Sequence, residues 1–160
     1  YIMKTIPTLL TTTKDEFIEL YNPNSVAINL YGFSLKKKTS GGTESNLVSA
    51  GTFIGIILPK GYFLIAPQAD SDGSPTYMGS VVPDLRYSGK TFSIASDNTV
   101  LLYNKSGELL DKVGFGKAED FETLAAENPI KSKSVERKKL GVDTDNNAQN
   151  SQTGTGFVCR

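Results

Sequence analysis

Histidine and tryptophan are absent from this 160-residue sequence, and cysteine occurs once, at Cys159. Each absence closes a class of chemistry. Without histidine, no side chain has an ordinary pKa near neutrality, and the commonest metal ligand is gone. Zinc centres built from four cysteines, or from paired cysteines and histidines, cannot be assembled. Hydrolytic triads that rely on an imidazole base are excluded as well. A lone cysteine makes no intrachain disulfide, though Cys159 offers one between chains. Excess charge of either sign is also missing, since 17 Lys and Arg balance 17 Asp and Glu. A neutral whole has no long-range field for gathering nucleic acid or anionic lipid, so such binding needs a local patch. No apolar run approaches the ~20 residues that span a bilayer. The opening YIMKTIPTLL lacks the basic-then-apolar pattern of a signal peptide. Two residues precede Met3, as expected of a chain that starts inside a longer or processed product.

What is present reads as strand. A chain of this length removes roughly 70% of its unfolded surface from water, enough for one core without staples. Short apolar stretches recur between turn residues: EFIELY, VAINLYGFSL, TFIGIIL, GYFLIA, TFSIA, TVLLYN and ELLDKVGFG. Many short strands at this spacing predict an antiparallel sandwich or barrel. In DEFIELYNPNSVAINLYGFSLKKK, Ile18 and Leu20 share one strand face, and Phe17, Glu19 and Tyr21 the other. The segment 22–25 reads as a turn, making the stretch a first hairpin. Val26, Ile28 and Leu30 share a face, but past Gly32 the apolar parity shifts to Phe33 and Leu35, which predicts a bend at the glycine. GYFLIA is apolar on both faces and is expected to be a central strand. A hairpin is predicted around 104–107, with Gly107 at positive φ. Segments 39–51 and 67–76 read as polar loops. Phe121, Leu124 and Ala125 fall at helical spacing, predicting a short capping helix over 118–127. The domain layout expected is a lead-in over 1–14, a sandwich over 15–142 and a polar tail over 143–160.

DEFIELYNPNSVAINLYGFSL, LPKGYFLIA, NTVLLYNKSGELLDKVGFG and SVERKKLGVDTDNN, in this order, resemble the lamin tail domain family over residues 15–147. The first piece, E-F-I-E-L-x-N followed by L-x-G-F-x-L, is the most specific, and the last resembles the prokaryotic branch. That branch often ends its last motif with Asp-Phe where this chain has Asn150-Ser151, and Phe33 stands where tryptophan is frequent. The resemblance implies an all-β, immunoglobulin-like antiparallel β-sandwich without an active site. Animal relatives bind proteins and chromatin. Prokaryotic relatives occur beside secreted or envelope-associated hydrolases and as surface modules.

Local clusters supply the remaining candidates. Asp143, Asp145 and Asn147 set oxygen-bearing side chains at alternate positions, as calcium loops do. An EF-hand is excluded, because Ala148 and Gly154 stand where glycine and glutamate belong. The competing reading of that stretch is an Asx-rich turn tying the tail to the sandwich. Asp70, Asp72 and Ser74 show similar spacing in what reads as an ordinary loop. Lys36, Lys37 and Lys38, with Lys131, Lys133, Arg137, Lys138 and Lys139, form a basic patch for nucleic acid if their strands are neighbours. Solvation or protection of an edge strand accounts for the same lysines. Arg137 shares a strand face with Val135, so it is expected to point inward and meet Glu19 or Asp111. Glu16 and Glu19 point to opposite faces and do not pair. Glu119 with Glu122, or Asp143 with Asp145, reads as solvated charge before acid–base machinery. Tyr21, Tyr31, Tyr62, Tyr77, Tyr87 and Tyr103 read as core or strand surface before a sugar-stacking platform.

The sequence thus predicts a non-catalytic interaction or structural module, with no cofactor apart from a calcium option at 143–147. The resemblance leads one to expect it in a larger exported or cell-surface protein, extracellular or in the cell envelope. Its partners are other proteins or another domain of the same chain. The alternatives are an accessory domain of a secreted hydrolase or nuclease, or a module binding calcium, glycan or DNA.

Overall fold

The computed structural model describes residues 2–6, 16–69, 72–74, 77, 79–87, 94–129, 133–137 and 145–155, with backbone alone for 2–6, 133, 137 and 149–155. Two sheets face each other as an immunoglobulin-like β-sandwich. The first holds six strands in the order β12-β11-β1-β2-β7-β8. They are β1 (Ile2–Ile6), β2 (Phe17–Tyr21), β7 (Tyr62–Pro67), β8 (Leu85–Tyr87), β11 (Lys133–Arg137) and β12 (Ser151–Thr155). All neighbours run antiparallel except β7 and β8. The second sheet, β10-β9-β4-β5, is antiparallel throughout. It comprises β4 (Ser34–Lys38), β5 (Glu44–Val48), β9 (Thr99–Tyr103) and β10 (Leu109–Gly114). A ribbon of β3 (Ile28–Asn29) and β6 (Ile56–Ile57) closes one end.

Strand parity builds the core. Ile18 and Leu20 from β2, Phe63 and Ile65 from β7, and Val135 from β11 meet Leu35, Val100, Leu102 and Val113 from the opposing sheet. Phe33, Phe53 and Phe63 stack through the ribbon end, with centroids 6.5 and 6.3 Å apart. The other face of β2 and β7 is also buried, where Phe17, Leu64 and Ala66 lie under Tyr77. GYFLIA is therefore the interior strand its two apolar faces predicted. The hairpin around 104–107 also forms, with Gly107 at φ 80° and Asn104 Oδ1 accepting from the N–H groups of Ser106 and Glu108.

Four local expectations are corrected. The opening stretch is no hairpin: β2 pairs with β1 and β7, while β3 and β4 pair elsewhere. The chain crosses between sheets there, and Gly32, at φ 85°, turns it into β4. Segment 39–51 is not all loop, because it contains β5. Its turn places Gly42 at φ 82°, with Gly42 N–H donating to Thr39 and Thr39 N–H to Thr43. No helix spans 118–127. Phe121 and Leu124 stay exposed, Thr123 sits at φ 50°, and the chain returns to bridge Phe115 with Ala126. Carbonyls that a helix would use internally, those of Glu122 and Leu124, accept from Asn147 and Ala148 instead. The helical turn at this end of the sandwich is α1 (Asn147–Asn150). Finally, the lead-in and the polar tail carry β1 and β12, which join the six-stranded sheet.

Candidate functional site

The lysine run lies on β4, an interior strand between β5 and β9, so edge protection is not its role. Alternation sends Lys36 and Lys38 outward and Lys37 to the inner face with Leu35. Lys36 Nζ lies 2.8 Å from Glu44 and 4.8 Å from the Tyr103 ring centroid. The hydrogen bond from Lys36 to Glu44 raises the lysine pKa against the smaller effect of burial. Lys38 and Lys112 converge on Asp120 at 3.3 and 2.7 Å. Burial alone would raise the Asp120 pKa, but the hydrogen bonds and charges of Lys112 and Lys38 outweigh it and hold the carboxyl low. The register sets Leu101, 1% exposed, between Lys36 and Lys112, whose aliphatic stems shield it.

Lys37 lies within the field of Glu16 at the sandwich end. Burial lowers the Lys37 pKa more than the attraction of Glu16 raises it. Glu16 is buried, accepting from the Tyr87 hydroxyl through Oε1 and from Ile94 N–H at 2.9 Å through Oε2. Burial, then the Glu16 charge and hydrogen bond, raise the Tyr87 pKa well above its ordinary value.

The second basic cluster lies elsewhere. Lys133 and Arg137 are on β11, in the opposite sheet from β4, so the strands are not neighbours. Lys131, Lys138 and Lys139 lie outside the described residues, as does the Arg137 side chain expected to meet Glu19 or Asp111. Glu19 and Asp111 are both buried.

Of the calcium candidates, Asp143 lies outside the described residues, and Asp145 is exposed, its carbonyl accepting from the Thr123 hydroxyl. Asn147 is 1% exposed and fully engaged. Its Oδ1 accepts from Gly114 and Glu122 N–H at 2.9 and 3.0 Å, and its Nδ2 donates to Lys112 O and Glu122 Oε2 at 3.0 and 2.7 Å. Asp72 caps its own turn through Ser74 N–H, and Asp70 is outside the described residues. Among the described residues, no three His, Cys, Asp or Glu side chains converge as a metal site. Glu122 is held by Asn147, while Glu119 is exposed. Tyr77 and Tyr87 are buried, Tyr21 and Tyr62 pair at 5.0 Å, and Tyr103 lies under Lys36, so the tyrosines form no common platform.

The surface that sequence reading missed is the outer face of the β3–β6 ribbon. Ile28 pairs with Ile57 and Asn29 with Ile56, and Leu30 N–H donates to Gly55. This register aligns Tyr31, Ile54, Ile56 and Leu58 on one face, each between 59% and 66% exposed. Val26, 65% exposed, stands at its end, and Lys105 lies 5.7 Å from the Tyr31 ring centroid. The sequence signal was weak, because FIGIIL is apolar at both parities and alternation could not separate core from surface. Asn22 anchors the ribbon to β2: fully buried, it donates to the carbonyls of Val26, Ile57 and Leu58 and accepts from Asn24 N–H.

No helix among the described residues is long and apolar enough to cross a membrane. A comparison with curated proteins found no match. The family model of the lamin tail domain matches residues 7–117, well over half of the chain. That range holds β2, β7 and β8 of the first sheet, all four strands of the second, the Asn22 anchor and the exposed ribbon, and the chain belongs to the lamin tail domain family.

Proposed function

We propose that this domain is a non-catalytic interaction module of a larger exported or cell-surface protein, from the prokaryotic branch of the family. Its partner, another protein or another domain of the same chain, sits on the outer face of the β3–β6 ribbon. The observation that carries this reading is the set of four large apolar side chains, each about three-fifths exposed, on one face of a ribbon tied to β2 by Asn22. Single exposed apolar residues are ordinary, but contiguous ones mark contact surfaces. SVERKKLGVDTDNN supports the prokaryotic assignment by its resemblance. Service to a secreted hydrolase or nuclease is the same reading with the chemistry placed elsewhere in the longer protein.

A photo-crosslinking amino acid replacing Ile56 in the native full-length protein tests the contact, with Lys117 replaced as the control. A discrete adduct from position 56, with its partner peptide identified by mass spectrometry and none from position 117, is expected. No adduct at 56, or equal adducts at both, would overturn the reading. Peptide sequencing across both ends of the native polypeptide tests its context: an export signal or surface anchor is expected, and a chain with neither would refute it.

A further inference from the structure

The structure assigns a second binding surface, chemically unlike the ribbon: the open side between β5 and β8, which takes an extended peptide carrying a carboxylate. β5 and β8 are the edge strands on the same side of the two sheets. Between them lies a groove of about 400 Å³. Leu47, Val48, Leu85 and Tyr87 supply its apolar lining. The β-bulge opposite Leu35 and Lys36 aids this, bringing the consecutive Leu47 and Val48 both into buried positions.

The β5 backbone argues for a chain as the occupant. Thr39 N–H donates to Thr43 O at 2.9 Å, which makes residues 39 and 43 a hydrogen-bonded pair. Antiparallel alternation then turns the N–H and C=O groups of Glu44 and Asn46 away from β4. They have no backbone partner among the described residues. Natural edges are commonly blunted by lysine or proline, and ESNLV has neither. An edge unpaired among the described residues, beside an apolar trench, suits strand addition: backbone hydrogen bonds hold the chain, and alternate side chains enter the trench. Five residues of β5 would accommodate a strand of similar length.

Charge selects the occupant further. Among the described residues, Arg86 is the one charged side chain lining the groove. Its Nη1 donates to Pro67 O at 2.9 Å, leaving the other guanidinium donors without a partner among the described residues. A planar fork of this kind matches a carboxylate. An Asp or Glu side chain, or a free C-terminus, at the Arg86 end of the added strand completes the site.

Selection of phage-displayed random heptapeptides on the purified domain provides the probe. Enriched peptides are expected to alternate aliphatic or β-branched residues and to include Asp or Glu. A synthetic peptide from that set should shift the amide resonances of residues 44–48 and 85–87. Arg86→Ala should weaken binding about tenfold and Asn46→Pro should abolish it, because the proline removes an outward-facing donor without touching the β4 pairing. Ile56→Lys should leave peptide binding unchanged, which separates this site from the ribbon. Should Asn46→Pro fail to fold, Arg86→Ala and the resonance map decide alone. No enrichment, shifts confined to other strands, or affinity indifferent to Arg86→Ala would overturn the proposal.

Discussion

Two buried asparagines hold opposite ends of this sandwich, and both act through side-chain amides that donate and accept. Asn22 ties the end of β2 to the ribbon, and Asn147 ties the C-terminal segment to β10 and the 118–127 turn. Removing either amide strands backbone groups that have lost water, at about 1–3 kcal/mol for each buried group left unpaired. Asn22→Ala and Asn147→Ala are each expected to cost about 2 kcal/mol or more, read from the midpoint of urea unfolding; a loss below about 0.5 kcal/mol would show that water replaces the amide. Tyr87 gives a pH signature. Its folded pKa is raised, so the native state holds this proton more tightly than the unfolded chain does. The contribution is present below the ordinary tyrosine pKa of about 10 and is lost as pH rises from there through the folded value. Tyr87→Phe should therefore be less stable at neutral pH yet lose less further stability between about pH 10 and 11.5. Parallel stability curves for parent and variant over that range would contradict the assignment.

At the scale of elements, the apolar stretches made β2, β7, β9 and β10 legible as strands, whereas β1, β5 and β12 carried no such signal. Local pattern misled where the environment of a face comes from distant chain. KKK reads as a basic cluster because Glu44, Tyr103 and Asp120, which engage Lys36 and Lys38, approach from other elements. The helical spacing of Phe121 and Leu124 had no apolar surface to meet, so tertiary hydrogen bonds from Asn147 and Ala148 prevailed over a weak local preference. The buried role of Asn22 was hidden for a related reason, since an Asn-Pro-Asn-Ser sequence describes a turn whether or not its first amide faces the core. Beside the ribbon strand β6 lies one constraint that the apolar pattern of TFIGIIL did not reveal. Gly55 has φ 145°, and an added Cβ would lie 2.3 Å from the Phe63 ring, inside the Phe33–Phe53–Phe63 stack. Gly55→Ala is expected to destabilise the fold by about 1–3 kcal/mol through overpacking, whereas Gly51→Ala, with open space around it, should lie within about 0.5 kcal/mol of the parent. Equal melting temperatures for the two variants would rule out a packing role for Gly55.

For the whole molecule, the two ends of the sequence close one sheet. β1 inserts between β2 and β11, and β11 in turn pairs with β12, so strands at the beginning and end of the chain lie side by side. The family match ends at residue 117, yet the side chain at 147 reaches back into that range at Lys112 and Gly114. The C-terminal segment is thus coupled to the core of the domain by more than strand pairing. Deleting residues 145–160 removes β12, α1 and the Asn147 amide together. If the segment acts chiefly through that amide, the truncated chain should match Asn147→Ala in urea midpoint. If β12 pairing contributes as well, truncation should cost more, and adding Asn147→Ala to chains whose β12 pairing is blocked should recover the difference. In either case amide exchange at Gly114 and Glu122 should quicken at least about tenfold, because both lose their acceptor at Asn147 Oδ1. A truncated chain with the parent's stability and the parent's exchange at those two amides would make the segment a passenger and the Asn147 coupling irrelevant to the fold.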